Sequence, residues 1–343
     1  MKSTLRPTTT ADLAAVRKFL ARVFHSKEDS PALQPAVMAW KYWDRRDDWT
    51  EPRAYVLERD GAIVAHAGIY PVTFDSGKVR GIQMVDWASA SDSPGAGLAM
   101  LQKLTGMFDF VYSIGGSEMT CKLLPAYGFV EYAQQWRGAR PLRPFGLIAT
   151  HQQRDWKLAP RLVRNFLWSR PGAHVPSGWE AEEIAAQDLD DAILSKSMEE
   201  THFSLRPHGF FEYLLRCPVM PVRLYGIRHQ GGIVGHFVIG VLRGQARVGG
   251  VWLRIPNATT WQAAYTLAQT AAARLAGAYE IAAAGTQGAS EEAAAQSGMR
   301  MLGHTPVYLL NKNGKLALPR AFQFQLGDDD VFFLDIGQPA YWT

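Results

Sequence analysis

One internal offset constrains this chain more than any other feature. Sliding the sequence by 170 residues lays residues 53–66, RAYVLERDGAIVAH, on residues 223–236, RLYGIRHQGGIVGH. Arg53/Arg223, Tyr55/Tyr225, Gly61/Gly231, Ile63/Ile233, Val64/Val234 and His66/His236 are identical, six of 14 positions, where chance gives about one. Each segment reads as a β-hairpin: an apolar strand enters a glycine turn and a second strand leaves it. The same offset lays Gly128 on Gly298, and Val85-Asp86-Trp87 and Gly250-Val251-Trp252 both fall in the next strand, near that register. A chain of 343 residues, more than twice the roughly 150 of an ordinary domain, is therefore predicted to be one fold used twice.

Composition excludes several alternatives. Cys121 and Cys217 are the only cysteines, so a disulfide scaffold or a four-cysteine zinc site is excluded. The first residues hold no apolar core of signal-peptide length and no run approaches a membrane span, which predicts a cytoplasmic protein with no membrane insertion. A net charge of +4 suits a small anionic ligand and gives no support to nucleic-acid binding. His202 and His208 have no partners at metal spacing, so no metal is expected. Asp328-Asp329-Asp330 lacks the rest of a calcium loop and reads as a solvated turn.

Periodicity organises each half in the same order. Helices are predicted from Ala11 and over 33–43, then strands over 53–59, 62–74 and 79–90, the last two joined by the turn Asp75–Lys78. A helix follows Gly95 and Gly97, then a short strand over Asp109–Ser113, a helix over 117–124 and a closing strand pair from Phe129. The second half repeats this, with helices over 188–200, 208–216, 260–276 and 289–296 and strands over 221–228, 232–241, 246–254, 279–284, 299–311 and 321–325. Residues 139–176 are rich in Arg and Pro and carry Leu162, Val163, Phe166 and Leu167, a connector with one amphipathic helix. The expected units are 1–138, the connector 139–176, and 177–343.

Three places carry a family resemblance. Val85-Asp86-Trp87-Ala88-Ser89 through Gly95-Ala96-Gly97-Leu98 resembles the strand, pyrophosphate loop and helix of the GNAT acetyltransferase superfamily. Leu123-Leu124-Pro125-Ala126-Tyr127-Gly128-Phe129 resembles the helix end and Gly-Phe that close that domain, and the strand–glycine–strand hairpin precedes the loop as it does there. The resemblance covers about residues 3–138 and again 177–326. It implies an α/β (α+β) architecture of two tandem GNAT-like domains, each a mixed, mostly antiparallel sheet flanked by helices. The tandem form is similar to acetyltransferase-like proteins of bacterial polysaccharide gene clusters and, more distantly, to FemAB-type aminoacyl transferases.

The resemblance implies acetyl-CoA, or another acyl-CoA, as donor and the amine of a small molecule or sugar as acceptor. Trp87, Ala88, Ser89, Gly95, Ala96, Gly97 and Leu98 are then the expected donor-binding residues. The physics of the loop agrees: a glycine turn at a helix N-terminus aims free N–H groups outward, and the helix dipole adds positive potential. Asp86 and Glu118 are the candidate general bases, directly or through water. A sheet hydrogen bond for Asp86 and helix-end charge complementarity for Glu118 are the alternatives. His66 and His236, matched in the two copies, read as structural.

The chain departs from the family pattern at three points. Asp92 stands where the loop carries Arg or Gln, Pro94 removes one loop N–H, and Leu124 stands where many members place a tyrosine. After Leu253-Arg254 the second copy reads Ile255-Pro256-Asn257-Ala258-Thr259, with no glycine, and is expected not to bind coenzyme A. The readings open at this stage are an N-acyltransferase, an inactive GNAT-like binding or scaffolding protein, and an aminoacyl transferase.

Overall fold

The computed structural model describes residues 3–74, 77–150, 156, 158–311, 314–316 and 321–343. The first half runs β1 (Thr4–Pro7), α1 (Leu13–Val23), α2 (Pro35–Tyr42), β2 (Ala54–Arg59), β3 (Ala62–Phe74), β4 (Val79–Ser89), α3 (Ala96–Thr105), β5 (Phe110–Ile114), α4 (Glu118–Ala126) and β6 (Val130–Pro141). The connector forms α5 (Pro144–Thr150) and α6 (Leu158–Trp168). The second half runs β7 (Trp179–Glu183), β8 (Thr201–His202), α7 (His208–Leu215), β9 (Val222–His229), β10 (Gly232–Leu242), β11 (Gln245–Leu253), α8 (Ala258–Arg274), β12 (Glu280–Thr286), α9 (Ala289–Gln296), β13 (Arg300–Leu310) and β14 (Ala321–Phe322). Residues 75 and 76 of the expected Asp75–Lys78 turn lie outside the described residues.

Twelve strands form one sheet in the order β1-β2-β3-β4-β5-β13-β6-β12-β11-β10-β9-β7. Most neighbours run antiparallel; β4/β5 and β11/β12 are the parallel pairs within it. The closing strands are exchanged: β13 of the second half pairs with β5, and β6 of the first pairs with β12. The expected closing strand pair at Phe129 is thus a single strand, β6, whose neighbours both come from the other half.

The offset reappears as register. Val111 faces Leu310 across β5/β13, and Ile281 faces Arg140 across β12/β6; adding 170 to Val111 and to Arg140 gives Ile281 and Leu310. The bulge between Leu57 and Glu58, which leaves Val64 unmatched, recurs between Ile227 and Arg228 at Val234. A bulge consumes one extra residue and is costly to misplace, so its repetition at the same position is a structural trace of the duplication. The third strand departs: the β10/β11 turn is Arg243-Gly244, both at positive φ (46° and 91°), a tight hairpin where the first copy has a longer connection.

The expected helix over 188–200 does not form. Short 3-10 turns at Ala186–Asp188 and Asp191–Ile193 replace it. Asp188 accepts from the N–H of Ala185 at 2.9 Å, and Asp190 from that of Ala192 at 2.7 Å. These local side-chain bonds compete with helix formation for the same donors. The largest core packs α7, α8 and α9 on the second half of the sheet, with Phe237, Trp252, Tyr265 and Trp136 buried. Smaller cores lie under α3 and under α1 and α2.

Candidate functional site

A cleft opens where β4 and β5 part. They pair only over Gly81–Gln83 with Phe110–Tyr112, although both strands continue. From Met84 onward the β5-facing edge of β4 has no strand partner. The cause lies on the other edge, where Asp86 and Trp87 together oppose Ala67 of β3. This bulge holds Asp86 at φ +48° and re-aims its side chain, as bulges do. The cleft measures about 460 Å³, and Gln83, Asp86, Trp87, Tyr112, Asp329 and Asp330 are among its lining residues.

Asp86 is the centre of a charged cluster. Its carboxylate accepts from Lys41 Nζ and from the Tyr42 hydroxyl, both at 2.5 Å, and its carbonyl lies 3.1 Å from His66 Nδ1. Burial works to raise the Asp86 carboxyl, but Lys41 and Tyr42 outweigh it and hold it below the usual carboxylate range. Burial also pushes His66 down to about 4, so the imidazole is neutral at pH 7. Lys41 bridges onward to Asp330 at 2.8 Å.

The segment after β14 supplies the other wall. Asp328 is 2% exposed and Asp329 6%, which corrects the expectation of a solvated acidic turn. Asp328 accepts from Arg206 at 2.9 Å and from the Ser204 hydroxyl at 2.7 Å. The hydroxyls of Tyr70 and Tyr112 donate to the carbonyls of Gly327 and Asp328, each at 2.6 Å. Arg247 donates to the carbonyls of Val331, Phe332 and Leu334. This strap places Asp329 in the cleft, where burial first and Asp330 second push its carboxyl well above the usual range; Gln83 bonds to it. The signal in the sequence was the apolar Val331-Phe332-Phe333 directly after the three acids, a neighbour that a solvated turn rarely has.

The glycine loop meets the cleft through Trp87, whose indole N–H donates to the Gly97 carbonyl at 3.2 Å. Gly95 precedes α3 at φ +79°, and a side chain there would point into open space. Gly97 does a different job: a Cβ on it would lie 3.2 Å from Ser89 Oγ, so its missing side chain lets α3 rest against β4. Ala96 is 1% exposed and Ala88 6%; both are packing residues, and Leu98 is half-buried. In the first turn of α3 the Ala96 N–H donates to the Ser93 carbonyl at 3.1 Å, while those of Gly97 and Leu98 have no intrahelical acceptors and lie at the anion-favouring end of the dipole.

Glu118 stands apart from these groups. It is 84% exposed in the first turn of α4, pairs with Lys122 at 2.6 Å, and is not among the cleft residues. Leu124, 3% exposed, does line the cleft. Tyr127 follows it at the C-terminal end of α4.

The second copy has the same parting of strands and fills it internally. Beyond Val248/Ala283 β11 leaves β12, and the Gln325 side chain takes the vacated edge. Its amide oxygen accepts from the Val251 N–H at 2.6 Å and its amide nitrogen donates to the Val251 carbonyl at 2.8 Å. Gly327 packs against the Gly249 backbone so closely that any Cβ would collide. At the N-terminus of α8, Asn257 and Thr260 bond reciprocally at 2.9 and 3.0 Å, a capping box that uses the amide an anion would need. His236 is buried against Ser195, with its pKa pushed down to about 3 by burial and by Arg206.

Among the described residues, no group of three or more His, Cys, Asp or Glu is placed to hold a metal ion, and no helix is long and apolar enough to cross a membrane.

No family model and no curated protein matches the sequence. Solved structures do match the fold. Saccharomyces cerevisiae N-myristoyltransferase with bound myristoyl-CoA aligns at TM-score 0.58 and 13% identity, over 90% of this chain and 82% of that one. A GCN5-related N-acetyltransferase of Anabaena variabilis aligns at 0.54 and 10%, over 90% and 72%. A tandem GNAT protein from the clavulanic acid biosynthesis pathway aligns at 0.52 and 12%, over 90% and 98%.

Proposed function

We propose that this chain, which has the tandem GNAT fold, is an acyl-CoA-dependent N-acyltransferase with one working donor site, in the first half. The observation that carries the reading is the unpaired edge of β4 from Met84 onward, beside the open Gly95 loop. Gln325 supplies an internal analogy for such an edge. In the second copy an amide group satisfies one N–H and one C=O of the parted strand, as the amides of a pantetheine arm would in the first. The donor brings a thioester whose carbonyl carbon is open to attack.

The chain's own residues do the rest. The first turn of α3 binds the pyrophosphate, with Gly95 letting it approach the backbone. Freed N–H groups of β4 polarise the thioester carbonyl, as oxyanion donors do. The acceptor amine enters between the two halves, where Asp86 and Asp330 outnumber Lys41 and draw in an ammonium, which gives up one proton to solvent before it attacks. Asp329 takes the proton from the attacking nitrogen: a carboxyl held above its usual range is the stronger base, and Gln83 orients it. The new C–N bond forms, the C–S bond breaks, and the proton taken by Asp329 passes through water to the leaving thiolate. Asp86, tied to Lys41 and Tyr42, acts in this scheme as the anchor of the bulge. Glu118 is the alternative base only if α4 turns it toward the cleft.

The test is thiol release from acetyl-CoA across a panel of primary amines, including amino sugars. Amine-dependent release is the expected result. Binding of acetyl-CoA without release by any amine favours a GNAT-like binding protein, the reading that Asp92 and Leu124 support. Absence of both binding and release overturns the proposal.

A further inference from the structure

The cleft is rich in hydrogen-bond acceptors and poor in donors. Among the described residues, no Lys, Arg or His lines it. Its side-chain donors are nearly all spent within the protein. The Tyr112 hydroxyl donates to the Asp328 carbonyl, the Ser113 hydroxyl to the Gly115 carbonyl at 3.1 Å, and the Trp87 indole to the Gly97 carbonyl. Ser117 and Thr120 bond to each other at 2.9 Å, at the start of α4. The Gln83 amide donates to Asp329. Acceptors remain in surplus: Gln83, 6% exposed, keeps a side-chain oxygen with no partner, and Asp86 and Asp330 share the single cation Lys41. An ammonium group brings donors only, whereas each hydroxyl of a sugar brings a donor and lone pairs that need donors in return. A wall with its donors spent leaves those lone pairs stranded, at a cost.

The body of the acceptor meets a different surface. On the strap, Phe332 and Phe333 turn into the core, while Val331 and Leu334 on either side of them line the cleft. Phe24, just past the end of α1, lines it too. Val331 is 36% exposed and Phe24 48%, and none of the three belongs to a buried core. Single exposed apolar side chains are ordinary. Three of them around one acid-lined cleft make the combination that small-molecule sites use, apolar walls with a few placed polar groups. At the other end Leu101 and Leu124, from α3 and α4, wall the donor's side.

We infer that the acceptor is an amine borne on an apolar body, an aryl- or alkylamine, with its nitrogen among Asp86, Asp329 and Asp330 and its carbon skeleton against Phe24, Val331 and Leu334, and that an amino sugar is excluded. For the reaction this rests on the N-acyltransferase reading; for binding it rests on the cleft alone.

The experiment measures kcat/KM for 2-phenylethylamine, spermidine and glucosamine with acetyl-CoA. Calorimetry reads the binding of the same amines to the full chain, with and without coenzyme A. 2-Phenylethylamine is expected to exceed the other two about tenfold or more, in turnover and in affinity. Phe24→Ala with Val331→Ala should lower kcat/KM for 2-phenylethylamine about tenfold, through KM, with a much smaller effect on methylamine, which has no body to reach the rim. An equal loss for methylamine overturns the assignment of the rim. Glucosamine used as well as 2-phenylethylamine overturns the inference and leaves acyl transfer standing, and so does spermidine used best. Selective binding of 2-phenylethylamine with no thiol release from any amine upholds the inference and removes the acyl-transfer reading. Failure of 2-phenylethylamine both to bind and to react overturns the inference.

Discussion

Trp40 and Tyr213 stack face to face, with ring centroids 4.7 Å apart and planes 4° from parallel, and each donates to the other's backbone. The Trp40 indole N–H donates to the Tyr213 carbonyl at 3.1 Å, and the Tyr213 hydroxyl to the Trp40 carbonyl at 2.9 Å. The two residues hold the same place, sixth of eight, in α2 and α7. The contact is therefore self-complementary, the form expected where two equivalent surfaces meet. Arg53 closes it with a bond to the Tyr213 oxygen at 2.8 Å, whereas its repeat partner Arg223 pairs with Glu183 at the surface.

Trp40→Ala should cost about 3–5 kcal/mol by emptying a buried aromatic site. Tyr213→Phe should cost about 1–3 kcal/mol, because it strips a partner from buried Arg53. Urea denaturation checks both. One transition that shifts as a whole is expected; loss of the first half alone, with the second intact, would contradict a shared interface.

Asp329→Asn should lower kcat about 10²–10⁴-fold, the ordinary worth of a general base, and leave KM for the acyl-CoA nearly unchanged. Asp329 works only when ionised, so wild-type activity should rise with pH through its elevated pKa. The variant should lose that acidic limb. A retained limb would move the role to another group, and Glu118→Gln is then the next variant to assay.

Asp92→Arg should strengthen donor binding. An exposed carboxylate beside the loop repels a pyrophosphate, and its replacement reverses the sign. A gain of about threefold to tenfold in affinity for coenzyme A is expected from a solvent-screened charge change, read by calorimetry. No gain would place the pyrophosphate elsewhere.

His66 and His236 predict acid sensitivity. Their folded pKa values, about 4 and about 3, lie below the unfolded value of about 6.5. The unfolded chain binds more protons as pH falls below that value, so the stability they provide is complete above about pH 6.5 and lost as pH drops toward 4 and then 3. For His66 the loss is on the order of 3 kcal/mol. Denaturation midpoints at pH 7.5 and 4.5 should differ less in His66→Gln than in the wild type; equal differences would refute the assignment.

Gln325→Glu should destabilise the second half, because a carboxylate cannot donate to the Val251 carbonyl. A cost of about 1–3 kcal/mol is expected for the stranded group. Residues 177–343 alone would leave β12 without its neighbour β6, so such a fragment is no test of coenzyme A binding by the second copy. Full-length Gln325→Ala is the better protein in which to look for a second binding event by calorimetry.

Much of the fold was legible in the sequence because hairpins and bulges are local. Val64 and Val234 each follow an isoleucine in the repeated hairpin and fold into the same irregularity. The exchange of β6 and β13 was not legible: a repeat fixes which residues are equivalent, and leaves open which copy each strand pairs with. The expected helix over 188–200 failed where Asp188 and Asp190 captured backbone donors. The site was half legible. Asp86 and Trp87 were found because they sit on the motif strand. Lys41 and Asp330 were not, because they meet across 289 residues of sequence, and Asp329 acquires its character only from the burial that this closure imposes.

The exchanged strands have a consequence for how such a chain can change over time. The second copy supplies β13 to the sheet of the first, so it must keep folding even after its own groove is filled by Gln325. Under the proposed function, a second copy that binds no donor takes nothing from the first, whereas loss of its structure would remove a strand from the sheet that holds the cleft. On that reading the second half is kept as scaffolding by mechanical necessity, free to drift at Ile255-Pro256-Asn257 and bound to persist at Arg300–Leu310.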